Sequence, residues 1–132
     1  MMEYFFTVSE ANDLISWLED KFRQIDPYRV AVEKNTARAQ QLLGVNRSNG
    51  SSHLETELQR LTQLIEEMRK SIQDLVGQIT GKGIIVRNLE AGLLDFPGKR
   101  EKRTVHLCWL RGEAEVGFWH EVDAGFPARQ PI

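Results

Sequence analysis

The clearest pattern in the chain is a run of apolar residues spaced alternately by four and three positions. They are Leu54, Leu58, Leu61, Ile65, Met68, Ile72, Leu75 and Ile79. A mean spacing near 3.5 residues is typical of a coiled-coil seam. The flanking positions are mostly polar, and such a narrow stripe favours packing against one partner helix. Ser52 with Glu55 forms a candidate capping box, and Gly81 with Gly83 is a stop signal, so we predict a helix between them.

The first part of the chain offers the partner helix. Apolar positions from Val8 to Leu43 keep the same alternation, and Thr7 with Glu10 forms a second candidate capping box. Proline lacks an N–H and clashes with the preceding turn of a helix. The periodicity nevertheless continues across Pro27, so we predict a kink there rather than a loop.

Turn-forming residues over 44–52 predict the connection between the two helices. Folding back at this connection pairs Leu18 with Ile79 and brings Arg29 near Met68. Arg29 then occupies a seam position. The simpler interpretation is a long side chain that reaches solvent, and the alternative is a buried polar group that fixes the helix register.

From residue 83 the periodicity becomes that of β-strands. Short runs rich in β-branched and aromatic residues predict a β-meander over 84–86, 93–96, 104–110 and 116–122. We expect a type II turn at Pro97-Gly98 and an irregular tail after the last run. Tyr4-Phe5-Phe6 is expected to add a short strand near this sheet.

These elements define an α+β fold. We predict a long antiparallel, coiled-coil-like helical hairpin over 7–81, followed by a small antiparallel β-meander and its irregular tail over 83–132. At 132 residues, the whole chain, 1–132, is expected to be one domain.

Composition narrows the class of protein. Apolar residues make up 41% and charged residues 27% of the chain, which is ordinary for a globular protein. Cys108 has no partner for an internal disulfide, which favours a reducing compartment, and no apolar run is long enough to span a bilayer. The start MMEYFF lacks the basic and apolar regions of a secretory signal. We therefore expect a cytoplasmic protein. The net charge of −2 is weak evidence against general nucleic-acid binding.

A metal site is one candidate chemistry. His106, Cys108 and His120 would share a face if their strands pair in an even register, and Cys and His are zinc ligands. Their spacing matches neither a CxxC pair nor an HExxH helix. The simpler interpretation is a buried thiol that acts as a small hydrophobe, beside hydrogen-bonded core histidines.

Two further sets of residues have a functional and a simpler interpretation. Trp119-His120-Glu121-x-Asp123 could support general acid–base chemistry, or could be a strand end with solvated carboxylates. The basic stretch 99–103, with Arg87, Arg111 and Arg129, could contact phosphates. Its simpler interpretation is a solvated hairpin tip.

The chain resembles a bacterial and archaeal family of uncharacterised proteins, domain-of-unknown-function family 2203. The resemblance rests on Phe6-Thr7, Glu10-Ala11-Asn12, the stretches 92–97 and 107–109, the stretch Trp119-His120-Glu121-Val122-Asp123-Ala124-Gly125-Phe126, and Arg129-Gln130-Pro131. It brings no established activity. It implies that the polar and aromatic motif residues form one cluster, and the candidate site is Asp95, Trp109, Trp119, His120, Glu121, Asp123 and Arg129.

Three functions remain open. The leading hypothesis is a non-enzymatic interaction module without a cofactor, which forms a homodimer or binds another protein and has no membrane partner. The second is an acid–base or metal-dependent enzyme centred on His120, Glu121 and Asp123, with a divalent metal such as zinc. The third is a nucleic-acid or ribosome-associated factor that uses Arg87, Arg100, Arg103 and Arg129.

Overall fold

The computed structural model describes residues 4–44 and 52–132. Three helices come first: α1 over Val8–Asp13, α2 over Ile15–Leu43 and α3 over Ser52–Thr80. Thr7 caps α1 in the predicted capping box with Glu10. Most of the predicted connection between the long helices, 45–51, lies outside the described residues, as does the side chain of Ser52.

The first helical segment differs from the prediction in one place. It divides at Leu14, whose N–H bonds to Ala11 O three residues back, at 3.1 Å. Asn12 and Asp13 have low helix propensity, and this is the physical reason we assign to the division. Further along, α2 includes Pro27 within its length, so the proline lies in a continuous helix and not in a loop.

The chain forms two compact units. One consists of Met1–Phe22 with Val76–Ile132, and the other of Arg23–Leu75. The second unit holds most of the two long helices. Its seam residue Leu61 is buried, whereas the polar flank Thr62 is exposed, as the narrow stripe predicted. The predicted register put Arg29 near Met68, and the structure places Asn35 Nδ2 3.8 Å from Met68 Sδ. No helix within 4–44 and 52–132 is long and apolar enough to cross a membrane.

The sheet belongs to the first unit. Its antiparallel strands follow chain order: β1 Ile85–Asn88, β2 Leu93–Arg100, β3 Arg103–Leu110, β4 Phe118–Glu121 and β5 Gln130–Pro131. The predicted α+β architecture of a helical hairpin followed by an antiparallel meander is confirmed. The tail was expected to be irregular, but it contains a short 3₁₀ turn, Phe126–Ala128, and adds β5 to the sheet.

The predicted turn at Pro97-Gly98 is wrong, because β2 runs through both residues. The hairpin turns instead at Glu101 and Lys102, whose φ angles are 53° and 66°. Positive φ at both central residues is the requirement of a type I′ turn. Pro97 has no N–H to donate to a neighbouring strand. It is tolerated in β2 because β1 pairs only with Leu93, Leu94 and Asp95, at the start of the strand. Beyond it, Pro97 O accepts a hydrogen bond from Phe6 N at 2.7 Å, so the Tyr4–Phe6 segment lies beside β2 without forming a strand.

Strand register divides the sheet into two faces. Leu94, Phe96, Val105, Leu107, Trp109 and Trp119 point to one side, which we call the apolar face. It packs against rings from the N-terminal segment and α2. Phe6 lies 5.3 Å from Phe96, and Phe22 lies 6.4 Å from Trp109, between ring centroids. The opposite side, which we call the polar face, carries Asp95, His106, Cys108 and His120.

Candidate metal centre

Three neighbouring strands bring a carboxylate and two imidazoles together. His106 on β3 lies directly opposite His120 on β4. Pro97 on β2 lies opposite His106, and Asp95, two residues earlier, shares that side of the sheet. We call these three residues the Asp–His–His cluster (Asp95, His106 and His120). Its side chains are almost fully buried, at 2%, 7% and 2% exposed.

The cluster is compact. Asp95 Oδ1 lies 3.0 Å from His120 Nε2, and Asp95 Oδ2 lies 3.5 Å from His106 Nδ1. The two imidazole rings meet edge to face with centroids 5.5 Å apart. One potential ligand atom from each residue can be chosen so that all three lie within 4.8 Å of one another.

The protonation of His120 follows from its two neighbours. Its Nδ1 lies 2.8 Å from Glu121 O. A carbonyl oxygen only accepts hydrogen bonds, so Nδ1 carries a proton. Nε2 then faces the Asp95 carboxylate, which is also an acceptor when ionised. Two lone pairs 3.0 Å apart repel each other, so a positive species must lie between them. That species is either a proton or a metal ion.

Arg87 covers the cluster from β1. Its Nε donates to Asp95 Oδ2 at 2.8 Å, and its Nη2 lies 3.3 Å from His106 Nδ1. A guanidinium only donates, so His106 Nδ1 accepts and presents a lone pair to this site. The Arg87 side chain is 44% exposed, whereas Asp95 beneath it is 2% exposed. The partly exposed guanidinium of Arg87 therefore lies between solvent and two buried potential ligand atoms, Asp95 Oδ2 and His106 Nδ1.

Cys108 lies on the same face and is buried. Burial raises the pKa of its thiol to about 11; Arg129 opposes this shift, and nearby Asp95 adds to it. Arg129 Nη1 lies 3.9 Å from the sulfur. Among the described residues, the group of converging potential ligand atoms consists of Asp95, His106 and His120 and does not include Cys108. The structure thus groups two of the three predicted metal ligands with Asp95 in place of Cys108.

Arg129 holds the tail rather than the cluster. Its guanidinium makes a bidentate pair with Glu113, at 3.0 and 2.7 Å, and lies between the rings of Phe118 and Phe126. The hydrogen bonds that Arg129 donates to Glu113 raise the pKa of Arg129. Burial alone would raise the pKa of Glu113, but the bonds from Arg129 and from Leu110 N outweigh it and lower that pKa. Sequence reasoning missed Glu113, which carried no signal beyond its place in a connection between strands.

The remaining predicted site residues lie elsewhere. Trp109 and Trp119 belong to the apolar face. Glu121 makes a bidentate pair with Arg103, at 3.1 and 2.6 Å, and Asp123 is exposed beyond β4. The stretch Trp119-His120-Glu121 alternates across the sheet, so only His120 enters the cluster. Sequence reasoning treated Arg87 as a phosphate contact and did not connect it with Asp95.

The arginines behind the nucleic-acid hypothesis have partners within the chain. Arg87 bonds to Asp95, and Arg103 to Glu121. Arg100 lies over the ring of Trp119, 4.7 Å from its centroid. Arg129 is clamped by Glu113. A nucleic-acid ligand would have to compete with these contacts.

Comparison with known proteins places the chain in one family. Residues 4–132 match the family described as "Uncharacterized conserved protein (DUF2203)", so the chain belongs to this family over essentially its whole length. Neither the curated proteins nor the solved structures give a significant match. The family description names no ligand or reaction. The function proposed below therefore rests on the geometry of the polar face.

Proposed function

We propose that this protein binds one divalent transition-metal ion through Asp95, His106 and His120. The supporting observation is the convergence of three potential ligand atoms within 4.8 Å of one another on side chains that are almost fully buried. Burial of a carboxylate and two imidazoles has a large desolvation cost unless the groups are paired or bind a cation. A metal ion at this point would bind all three, in place of the contacts with Arg87 that pair Asp95 and His106 in its absence.

The two Asp95 contacts are close to the ligand separations around such an ion. Ligand atoms bound about 2.1 Å from a zinc-sized metal at tetrahedral angles are about 3.4 Å apart. The two Asp95 contacts, 3.0 Å to His120 and 3.5 Å to His106, lie on either side of this value. The three ligand atoms as a set span up to 4.8 Å, which exceeds this value, so the side chains must rotate inward to bind one ion.

The donor set indicates the class of metal. Two imidazole nitrogens and one carboxylate oxygen suit zinc and ferrous iron, whereas magnesium and calcium prefer oxygen alone. The bond from His120 Nδ1 to Glu121 O is typical of metal-binding histidines, whose second nitrogen donates to a carbonyl or carboxylate. Three protein ligands leave at least one coordination position open, which is characteristic of catalytic rather than structural zinc centres.

Metal titration tests the proposal. Protein freed of metal by a chelator is titrated with Co²⁺, whose visible absorption reports coordination, and with Zn²⁺ by calorimetry. We expect one equivalent to bind, and the Asp95→Ala and His120→Ala variants to lose it.

His53→Gln is the matched control, because His53 is an exposed histidine in α3 and is not one of the three proposed ligands. It should bind as the wild type does. Circular dichroism separates lost binding from lost folding. Stoichiometric binding that disappears in His53→Gln but persists in a folded Asp95→Ala variant would contradict the proposal.

A protein-interaction module is the second candidate, with a second copy of this chain as the partner. Three exposed apolar side chains of β4's end and the tail favour it: Val122, Phe126 and Ile132. The coiled-coil-like hairpin would then be the scaffold of a cytoplasmic homodimer. Light scattering should give the mass of a dimer for the wild type and a monomer for Val122→Lys. Val30→Lys, at an exposed valine of α2, is the control. A monomeric wild type at high concentration would exclude this candidate.

A further inference from the structure

We infer that Arg87 is a built-in competitor of the metal ion, so that the guanidinium and the metal occupy the cluster in turn. The inference rests on the proposed metal site and concerns how that site is controlled. Arg87 contacts two of the three ligand residues, at Asp95 Oδ2 and His106 Nδ1. Nδ1 is the His106 nitrogen that lies near Asp95 Oδ2, at 3.5 Å. A metal ion bound through this nitrogen needs the lone pair that Arg87 occupies, so the two cations cannot use it together.

The contact with His106 makes the exclusion specific. Nδ1 has a single lone pair, and it accepts from Arg87 Nη2 at 3.3 Å. Coordination to a metal uses that lone pair completely. Asp95 is less restrictive, because a carboxylate has about four acceptor positions on two oxygens. His106 therefore decides whether Arg87 or the metal is bound.

Repulsion between positive charges also favours alternate binding of Arg87 and the metal ion. The Asp–His–His cluster supplies one carboxylate to balance positive charge. Arg87 places one positive charge against it, at 2.8 Å. A divalent ion beside an unmoved guanidinium would put three positive charges against one negative charge in a partly buried site. Repulsion between the two cations favours release of Arg87 as the metal enters.

The position of Arg87 allows this release. Strand β1 is an edge strand that pairs only with β2 among the described strands, and its register shifts between Val86 and Asn88, on either side of Arg87. The side chain is 44% exposed. It can turn into solvent without breaking the sheet, and its departure would uncover the buried ligand atoms. Arg87 therefore controls both the occupancy of the site and access to it.

Removing the competitor should strengthen metal binding. We expect Arg87→Ala to bind Zn²⁺ about tenfold more tightly than the wild type in competition with a chromophoric chelator, equivalent to about 1.4 kcal/mol. Arg103→Ala is the matched control. It removes the same charge from the same sheet, but its partner is Glu121 rather than the cluster, and its affinity should change less than twofold.

Arg87→Lys separates exclusion from simple charge repulsion. Lysine keeps the charge, but its single ammonium cannot hold Asp95 and His106 in the geometry of the planar guanidinium. We expect affinity between those of the wild type and Arg87→Ala. An affinity equal to that of the wild type would mean that charge alone acts, and would overturn exclusion at His106.

A direct readout follows Arg87 itself. In metal-free protein the hydrogen bond to Asp95 should slow exchange of the Arg87 Nε proton with water, which NMR detects. Zn²⁺ should abolish this protection. Protection that persists in the zinc-bound protein, or an Arg87→Ala variant that binds zinc no more tightly than the wild type, would overturn this inference and leave the metal site standing. Absence of zinc binding in wild type and variants alike would instead reject the metal site.

Discussion

Both faces of the sheet contain fully buried side chains, but these side chains are held together by different forces. On the apolar face, Phe96 and Trp109 are inaccessible to solvent and contact other aromatic rings. On the polar face, Asp95 and His120 are just as inaccessible but are held by hydrogen bonds and charge. Apolar burial stabilises a fold directly. A buried ion pair gains little over apolar residues of the same volume, so the polar face is better explained by ligand binding than by stability.

The largest expected loss of stability follows from a substitution on the apolar face. Trp109→Ala removes a fully buried ring and the bond from its Nε1 to Glu113 O at 3.0 Å. We expect a loss of about 3–5 kcal/mol in the free energy of unfolding, measured by chemical denaturation. Trp17→Ala is the control at a half-buried tryptophan in the same unit. Equal losses in the two variants would show that Trp109 does not anchor this face.

The second effect belongs to the Asp–His–His cluster. Asp95→Ala leaves His120 and Arg87 without their carboxylate. We expect a loss of about 2–3 kcal/mol in metal-free protein, less than for a fully buried pair because Arg87 can turn into solvent. Asp123→Ala, at an exposed aspartate, should change stability by less than about 0.5 kcal/mol. Should Asp95→Ala prove as mild as this control, the network would contribute nothing to stability.

How far the sequence predicted the fold depends on how local the signal is. The seam from Leu54 to Ile79 predicted α3 because every fourth or third residue reports the same face. The turn of the β2–β3 hairpin failed, because Pro97-Gly98 is a strong turn signal, whereas Glu101-Lys102 gives none for positive φ. Such strain at ordinary residues is determined by the pairing of the strands around them.

The candidate site depends on the strand register, which the sequence left open. Asp95 meets His106 and His120 only through the register of two hairpins, and a shift of one residue reverses the faces of a strand. The family motif did not show which of its residues lie together in the sheet. Trp119, Glu121 and Asp123 adjoin His120 in sequence, yet they serve packing, an ion pair and the solvent-exposed end of β4.

A smaller effect should appear where the polar face meets the tail. Glu113→Gln weakens the pair with Arg129, and we expect a loss of about 1–2 kcal/mol near pH 7. The pKa of Glu113 is lowered in the folded protein. Its ionised form therefore contributes stability above the unfolded pKa of about 4.3, and this contribution is lost as the pH falls through the lower folded pKa.

The difference in unfolding free energy between wild type and Glu113→Gln should accordingly be constant near neutrality and shrink below about pH 4. Denaturation curves of both proteins across this range measure it. Glu115→Gln, at an exposed neighbour, is the control and should show no such convergence. A difference that grows on acidification would mean that the carboxylate is destabilising in the fold.

The mildest probe of the polar face changes no residue. Burial raises the pKa of Cys108 to about 11, and the thiolate is the reactive form, so at pH 8 the folded protein should react with a thiol reagent far more slowly than the unfolded chain. The reaction rate then reports how often the polar face opens.

Two variants should affect this rate differently. Trp109→Ala should accelerate labelling, because it loosens the whole sheet. Arg87→Ala should leave the rate nearly unchanged, because Arg87 covers Asp95 and His106, whereas the guanidinium beside the sulfur is that of Arg129. Rapid labelling of the wild type would show that solvent reaches the polar face in the folded protein. The polar face would then not be closed to solvent as the apolar face is.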